Sequence, residues 1–392
     1  MHLKEQNMLI PRKIKENLES WLFKGKIIIL YGPRQTGKTT IVKELALKYG
    51  DEKSYINCEI LENQQALGLE NPLQLKTFLG EGKFFVFDEA QKITNIGLVL
   101  KLLIDTYPDL QIIATGSSSF ELANKVSEPL TGRAIEFKLY PISYSEITAD
   151  KPAWESAALL SSLLVYGSYP EIIKNNFSQA DIFLGNLAAN YLFKDIFEFE
   201  NIKKPKLLTN LLQLLALQLG NEVSLNELAT KLETSRKTIA RYLDLLEKAF
   251  VIFTLYPLSR NPRNEIGRKN KIYFYDLGIR NSLISRFQPL NLRDDIGALW
   301  ENFCLVERKK ILEYGQRRKN QFFWRNLRGK EIDYIEEADG RFKAYEFKWT
   351  ERTVKTPADF FKNYRAEVKA INRDNFLDFL SDGGEDQQKE SL

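Results

Sequence analysis

Eight consecutive residues, Gly32-Pro33-Arg34-Gln35-Thr36-Gly37-Lys38-Thr39, have the types and spacing that cradle the phosphates of a nucleoside triphosphate. The glycines let backbone N–H groups close around the β-phosphate, at a helix start that already favours anions. Lys38 is expected to bridge the β- and γ-phosphates and the Thr39 hydroxyl to ligate Mg²⁺, with Thr40 beside it in the cofactor-binding set. An apolar run, Phe84-Phe85-Val86-Phe87, ends in Asp88 and Glu89. On its own such a run is a weak signal, with a solvated strand end as an equal alternative. Following a phosphate loop it reads as the partner strand: Asp88 holds the Mg²⁺ shell and Glu89 orients or deprotonates the attacking water.

Two further stretches belong to the same chemistry. Ile112-Ile113-Ala114-Thr115-Gly116-Ser117-Ser118 is apolar and then small and polar. That places Ser117 to contact the γ-phosphate or the water, unless the serines simply cap a helix. Arg133, in Leu130-Thr131-Gly132-Arg133, is a candidate for the cation that neutralises transition-state charge, in cis or from a neighbouring subunit. A plain surface arginine is the competing reading, and Arg34 is a second candidate for the same work.

Near the C-terminus stand Asp333 and, beyond a turn around Ala338–Arg341, Glu346-Phe347-Lys348. Strand alternation puts Glu346 and Lys348 on one face, and hairpin pairing brings Asp333 beside them. Asp333 and Glu346 are then expected to bind a divalent metal, with Lys348 helping to activate water against a phosphodiester and Glu301 as a fourth member. His2 is the single histidine, so acid–base chemistry falls to carboxylates and lysines.

These residues need elements to position them. Lys26–Tyr31, Ser54–Asn57, Phe84–Asp88, Gln111–Thr115 and Ala134–Leu139 read as strands separated by helical segments, the pattern of a parallel sheet with crossover helices. Residues 1–140 therefore read as a P-loop domain. Residues 141–220 read as a helical module, with helices over Ile182–Phe197 and Pro205–Leu219. In 221–290, Ser224 caps a helix Leu225–Leu232 with Glu227 as a capping box, and Ser235–Glu247 is a second helix. Strands Phe250–Tyr256 and Lys271–Tyr275 follow, and the whole is the order of a winged helix. Residues 291–380 read as helix, three strands, helix, strand, helix, and 381–392 as a disordered tail.

The chain has 392 residues, enough for several domains. A net charge of +4 announces no general affinity for nucleic acid, so any such surface is local. No apolar run approaches a membrane span, and Cys58 and Cys304 suggest neither a disulfide nor a zinc site. A reducing cytoplasm fits best. In the second winged-helix helix Ile239, Leu243 and Leu246 are the expected buried stripe, leaving Thr234, Arg236, Lys237 and Arg241 for DNA. Arg260, Arg263, Arg268 and Lys269 make the loop between the strands a basic wing, with Lys271 just beyond. A protein-binding role for this unit is the alternative.

The glycine loop, Phe-Asp-Glu-Ala-Gln (87–91), Ala-Thr-Gly-Ser-Ser (114–118), Leu-Thr-Gly-Arg (130–133) and Tyr-Pro-Ile-Ser-Tyr-Ser-Glu (140–146) together resemble one family. It is the prokaryotic AAA-type ATPases with a C-terminal domain of unknown function 4143. The C-terminal order and its Asp…Glu-x-Lys residues resemble the restriction-endonuclease-like fold. The resemblance implies an ATPase using ATP and Mg²⁺. We expect turnover to be coupled to binding or processing of DNA. The alternative is a nucleotide-dependent regulatory or scaffold switch, acting on a protein partner through a C-terminal domain that only binds. Assembly into an oligomer is compatible with either.

Overall fold

The computed structural model describes residues 10–116, 130–192, 205–259 and 269–381. Five strands, β1 (Ile27–Tyr31), β2 (Tyr55–Asn57), β3 (Phe84–Asp88), β4 (Gln111–Gly116) and β5 (Ala134–Lys138), form one sheet in the order β2-β3-β4-β1-β5. Every pairing in it is parallel. Parallel strands need crossovers and are covered on both faces, which is why β1, β3 and β4 are apolar without alternation and buried throughout. The helix Lys38–Tyr49 packs Ile41, Val42, Leu45 and Ala46 against this sheet. Because the strands run the same way, the ends of β1, β3 and β4 open on one edge. Each of the five expected strands is present to within a residue.

The helical middle comprises Ala153–Tyr166, Pro170–Lys174, Ala180–Asn186 continuing as a π-helical stretch Leu187–Leu192, and Pro205–Leu217. The remainder of the helix expected to reach Phe197 lies outside the described residues. Ser224 then accepts from the Glu227 N–H at 3.4 Å to start the helix Leu225–Lys231. The reciprocal half of the expected capping box is absent, because Glu227 turns its carboxylate to Lys231 at 2.7 Å. In the helix Arg236–Lys248 the buried side chains are Ile239, Tyr242, Leu245 and Leu246, with Leu243 only half-buried. The stripe is therefore rotated slightly from the expected one. Arg236, Lys237 and Arg241 are exposed, and Thr234 is half-buried.

A short strand β6 (Glu222–Val223) precedes these two helices and β7 (Ile252–Pro257) and β8 (Asn270–Phe274) follow them, with β8 antiparallel to both others. The long helix Ile296–Tyr314 leads into β9 (Asn320–Arg325), β10 (Glu331–Ala338) and β11 (Arg341–Phe347). A helix Ala358–Tyr364, β12 (Val368–Ile371) and a last helix Phe376–Ser381 complete the order read from the sequence.

Strand pairing continues across residue 290, the expected boundary. β7 pairs in parallel with β9, Tyr256 opposite Phe322, so the hairpin and the C-terminal strands form one seven-stranded sheet, β12-β11-β10-β9-β7-β8-β6. A parallel partner more than sixty residues on leaves no local trace in β7 itself. Among the described residues no helix is long and apolar enough to cross a membrane.

Candidate functional site

β1 ends where the chain must turn sharply under the segment around Leu139. At Gly32 a Cβ would overlap the Leu139 carbonyl oxygen, so only glycine fits. Gly37 has φ +98° and starts the helix Lys38–Tyr49, and Gln35 has φ +61°, so the loop curls back into the helix start. Pro33 and Thr36 are buried and Arg34 is half-buried, while Gln35 and Thr40 are exposed. The Thr36 hydroxyl donates to the Pro33 carbonyl at 2.8 Å. The Lys38 ammonium lies within the curl, donating to the carbonyls of Gly32 at 2.7 Å and Pro33 at 2.9 Å.

The ends of β1, β3 and β4 converge on Asp88. The Thr39 hydroxyl donates to its Oδ2 at 2.8 Å and the Tyr55 hydroxyl to the same oxygen at 2.7 Å. Thr115 donates to Oδ1 at 2.5 Å and accepts the Glu89 N–H at 3.0 Å. Burial, followed by the hydrogen bond to Asp88, raises the Tyr55 hydroxyl pKa and keeps it a donor. Glu89 follows in the left-handed region, φ 55°, and its Oε2 accepts from Gln91 Nε2 at 2.5 Å. A hydroxyl and carboxylates are hard oxygen donors, which suits Mg²⁺ held by Thr39 and Asp88.

Beside the loop lies a cavity of about 360 Å³ lined by Ile10, Pro11, Thr36, Gly37, Ile41 and Pro170 among others. Arg12, Lys15, Glu16, Glu44 and Lys174 add charge to the same wall, and the cavity's size and mixed lining suit a nucleoside. Arg12 braces it, donating to the carbonyls of Thr36 at 2.6 Å and Tyr140 at 2.7 Å, with Glu146 3.3 Å from its Nε. Arg12, Tyr55, Gln91 and Thr115 as a bridge were not identified from sequence. Arg12, Tyr55 and Thr115 owe their roles to the convergence of distant segments, whereas Gln91 stands only two residues from the Glu89 it bonds.

Two expected members of the site stand otherwise. Ser117 lies outside the described residues. Arg133 precedes β5, and its carbonyl accepts the Ile27 N–H at the start of β1, the sheet edge opposite the loop. Five residues of strand separate the two edges, roughly 16 Å. Its Nε bonds Asp105 at 2.6 Å instead. Catalysis by Arg133 in cis is thereby corrected, since a residue preceding a parallel strand cannot reach that strand's far end.

At the C-terminal end the expected trio does come together. The Phe347 N–H donates to Asp333 Oδ2 at 2.9 Å, and Lys348 Nζ lies 2.8 Å from Glu346 and 3.8 Å from Asp333. Burial first, then the charge of Glu301, push the Asp333 carboxyl up to about 7 against the pull of Lys271 and Lys348. Glu301 is close by but engaged: Lys271 donates to it at 2.9 Å and Tyr273 at 2.5 Å. Lys271, buried on β8, also pairs with Glu331. Neither Lys271 nor Glu331 was read from the sequence as part of this cluster, because the sheet that carries β8 to β10 was not foreseen. Two carboxylates fit the way Mg²⁺ is often held, with water and substrate phosphates completing its shell.

Comparison with known proteins finds three consecutive matches along the chain. Residues 24–148 match the AAA domain family, 157–290 a domain of unknown function numbered 8612, and 296–389 the domain of unknown function 4143. An uncharacterised protein of Mycobacterium tuberculosis is 27% identical over 349 residues, covering 88% of this chain and 75% of its own. Another from Methanocaldococcus jannaschii is 27% identical over 356 residues, covering 84% and 77%. Among solved structures, Aeropyrum pernix Orc1, in complex with DNA, aligns at a TM-score of 0.34 with 13% identity, covering 71% of this chain and 93% of that one. Cdc6p of Pyrobaculum aerophilum aligns at 0.27 with 14% identity, covering 72% and 96%.

Proposed function

Because the chain carries a P-loop AAA domain and a C-terminal domain of the 4143 family, we propose that it hydrolyses ATP and couples turnover to the binding of DNA. The observation that carries this is the convergence on Asp88, whose carboxylate meets Thr39 from the phosphate loop and Thr115 from β4. The loop amides and Lys38 bind the phosphates, and the cavity beside Ile10 and Pro170 receives the nucleoside. Mg²⁺, held by Thr39 and Asp88, neutralises charge on the β- and γ-phosphates. Glu89 takes a proton from the attacking water. Arg133, half-exposed on the far edge, is offered to a neighbouring copy instead of its own site.

Helix, turn, helix and hairpin over 224–274, with Arg236, Lys237 and Arg241 exposed on the second helix, support a winged-helix contact with DNA. Lys269 adjoins it; Arg260, Arg263 and Arg268 lie outside the described residues. The test is ATP turnover with and without single-stranded, duplex and branched DNA. Lys38→Ala should abolish ATP binding, and Glu89→Gln should keep binding and stop turnover. Wild-type turnover by Glu89→Gln would overturn the assignment of Glu89. Turnover and DNA binding that never respond to one another would favour the protein-partner switch.

The meeting of Asp333, Glu346 and Lys348 favours a second reading for the C-terminal unit. In it, the unit is restriction-endonuclease-like, Asp333 and Glu346 hold a divalent metal, and Lys348 stabilises charge on a phosphodiester. Calorimetry on the Lys38→Ala protein should then still register Mg²⁺ or Mn²⁺, and Glu346→Ala should remove it. No binding would leave a module that only binds.

A further inference from the structure

Gln91 ends the Phe-Asp-Glu-Ala-Gln run, and nothing in the reading above uses it. It sits in a single 3-10 turn, Ala90–Lys92, with 3% of its surface exposed. The turn closes without help from its side chain: Lys92 N–H donates to Glu89 O and Ile93 N–H to Ala90 O, each at 3.1 Å. The buried amide is instead directed back to the Glu89 carboxylate, at 2.5 Å. Bonds of this kind to an ionised acceptor are among the stronger ones in proteins and fix direction as well as distance.

Glu89 is held at both ends. Its backbone adopts φ 55°, ψ 45°, a conformation uncommon for a residue with a side chain, and its N–H is tied to Thr115. Thr115 in turn touches Asp88, so the backbone of Glu89 is referenced to the metal-binding carboxylate. Its side chain has three further rotatable bonds, and a base that swings freely spends little time aimed at its proton. Gln91 removes that freedom. With Oε2 accepting the amide, Oε1 is the oxygen left to receive a water proton.

We propose that Gln91 is a positioning residue of the ATPase site, holding the Glu89 carboxylate so that one oxygen faces the attacking water. The inference rests on the reading of Glu89 as the base. In the step it serves, a water proton passes to Glu89 and the water oxygen bonds to the γ-phosphorus. The bond from that phosphorus to the β,γ-bridging oxygen breaks, leaving ADP and phosphate. Gln91 gives up no proton and touches neither product.

The test compares the full chain with Gln91→Met, which keeps volume and burial but lacks a donor, and with Gln91→Asn, whose amide is one methylene short. Both should lower kcat about ten- to a hundred-fold while KM and calorimetric ATP affinity stay as in wild type. In a Glu89→Gln background Gln91→Met should cause no further loss in single-turnover assays, because Gln91 acts only through the glutamate. Wild-type or faster turnover by the folded Gln91 variants would overturn the proposal. So would a rise in KM, or an equal loss in the Glu89→Gln background, each of which marks a packing role. Should Glu89→Gln itself turn over normally, the reading of the base fails, and this inference fails with it.

Discussion

Asp333 is a carboxyl group folded where it is more easily neutral. Its pKa near 7 in the folded protein compares with about 3.9 in an unfolded chain. Between those values the folded form binds more protons than the unfolded one, so this residue lowers stability as pH rises. Three pH units correspond to roughly 4 kcal/mol at the upper limit. Asp333→Asn should therefore be more stable than wild type at pH 8, with the advantage gone by about pH 3, where the wild-type carboxyl is largely protonated in both states. Urea titrations at several pH values would check it, and a constant difference across them would refute it. A site that gives up stability for an ionisable group in a buried place is what a functional cluster requires. Where these residues lie was largely legible in the sequence. Lys38, Thr39, Asp88 and Glu89 are set by spacing within a loop or at a strand end, and Asp333, Glu346 and Lys348 by alternation across one hairpin. Tyr55 and Arg12 were not, because nothing local to either residue says which carboxylate or carbonyl it will meet.

The elements are joined by buried charges as well as by apolar packing. Arg308, on the helix Ile296–Tyr314, makes a two-pronged pair with Glu336 of β10 at 2.5 and 2.8 Å, and donates to the Phe379 carbonyl of the last helix at 2.7 Å. Both side chains are at most 2% exposed. Arg308→Met would strand the Glu336 carboxylate with Lys319 and Tyr334 as remaining partners, and should destabilise the protein by about 3–5 kcal/mol. Adding Glu336→Leu should recover most of that loss. Failure of the second substitution to recover stability in chemical denaturation would show that the pair does more than neutralise itself. At this scale the sequence was informative about kind and order, since each element has its own periodicity and caps. Arg133 shows what it lacked. The residue types allowed a catalytic arginine, but the parallel direction of β5 beside β1 puts it at the wrong edge.

Across the whole molecule the junctions are shared. Tyr140, at the end of the P-loop domain, stacks on Tyr275 after the hairpin, ring centroids 5.3 Å apart, and its N–H donates to the Tyr314 hydroxyl at 3.1 Å. Glu307 of the long helix accepts the Tyr144 N–H at 2.7 Å. One segment, 140–146, thus touches the phosphate loop through Arg12, the hairpin and the C-terminal helix. Domain boundaries read from composition and pattern mark where the chain changes character. They could not reveal that β7 borrows its neighbour from the next unit, since pairing partners leave no mark on each other's sequence. That borrowing bears on how the protein is made. During synthesis β7 leaves the ribosome about 65 residues ahead of β9. At ordinary elongation speeds its outer edge waits roughly 3–13 s for a partner. Unpaired edges invite foreign strands, and this one carries Ile252, Phe253 and Leu255. Exposed edges of this kind are one reason chaperones exist, and slow codons between the two strands would lengthen the wait.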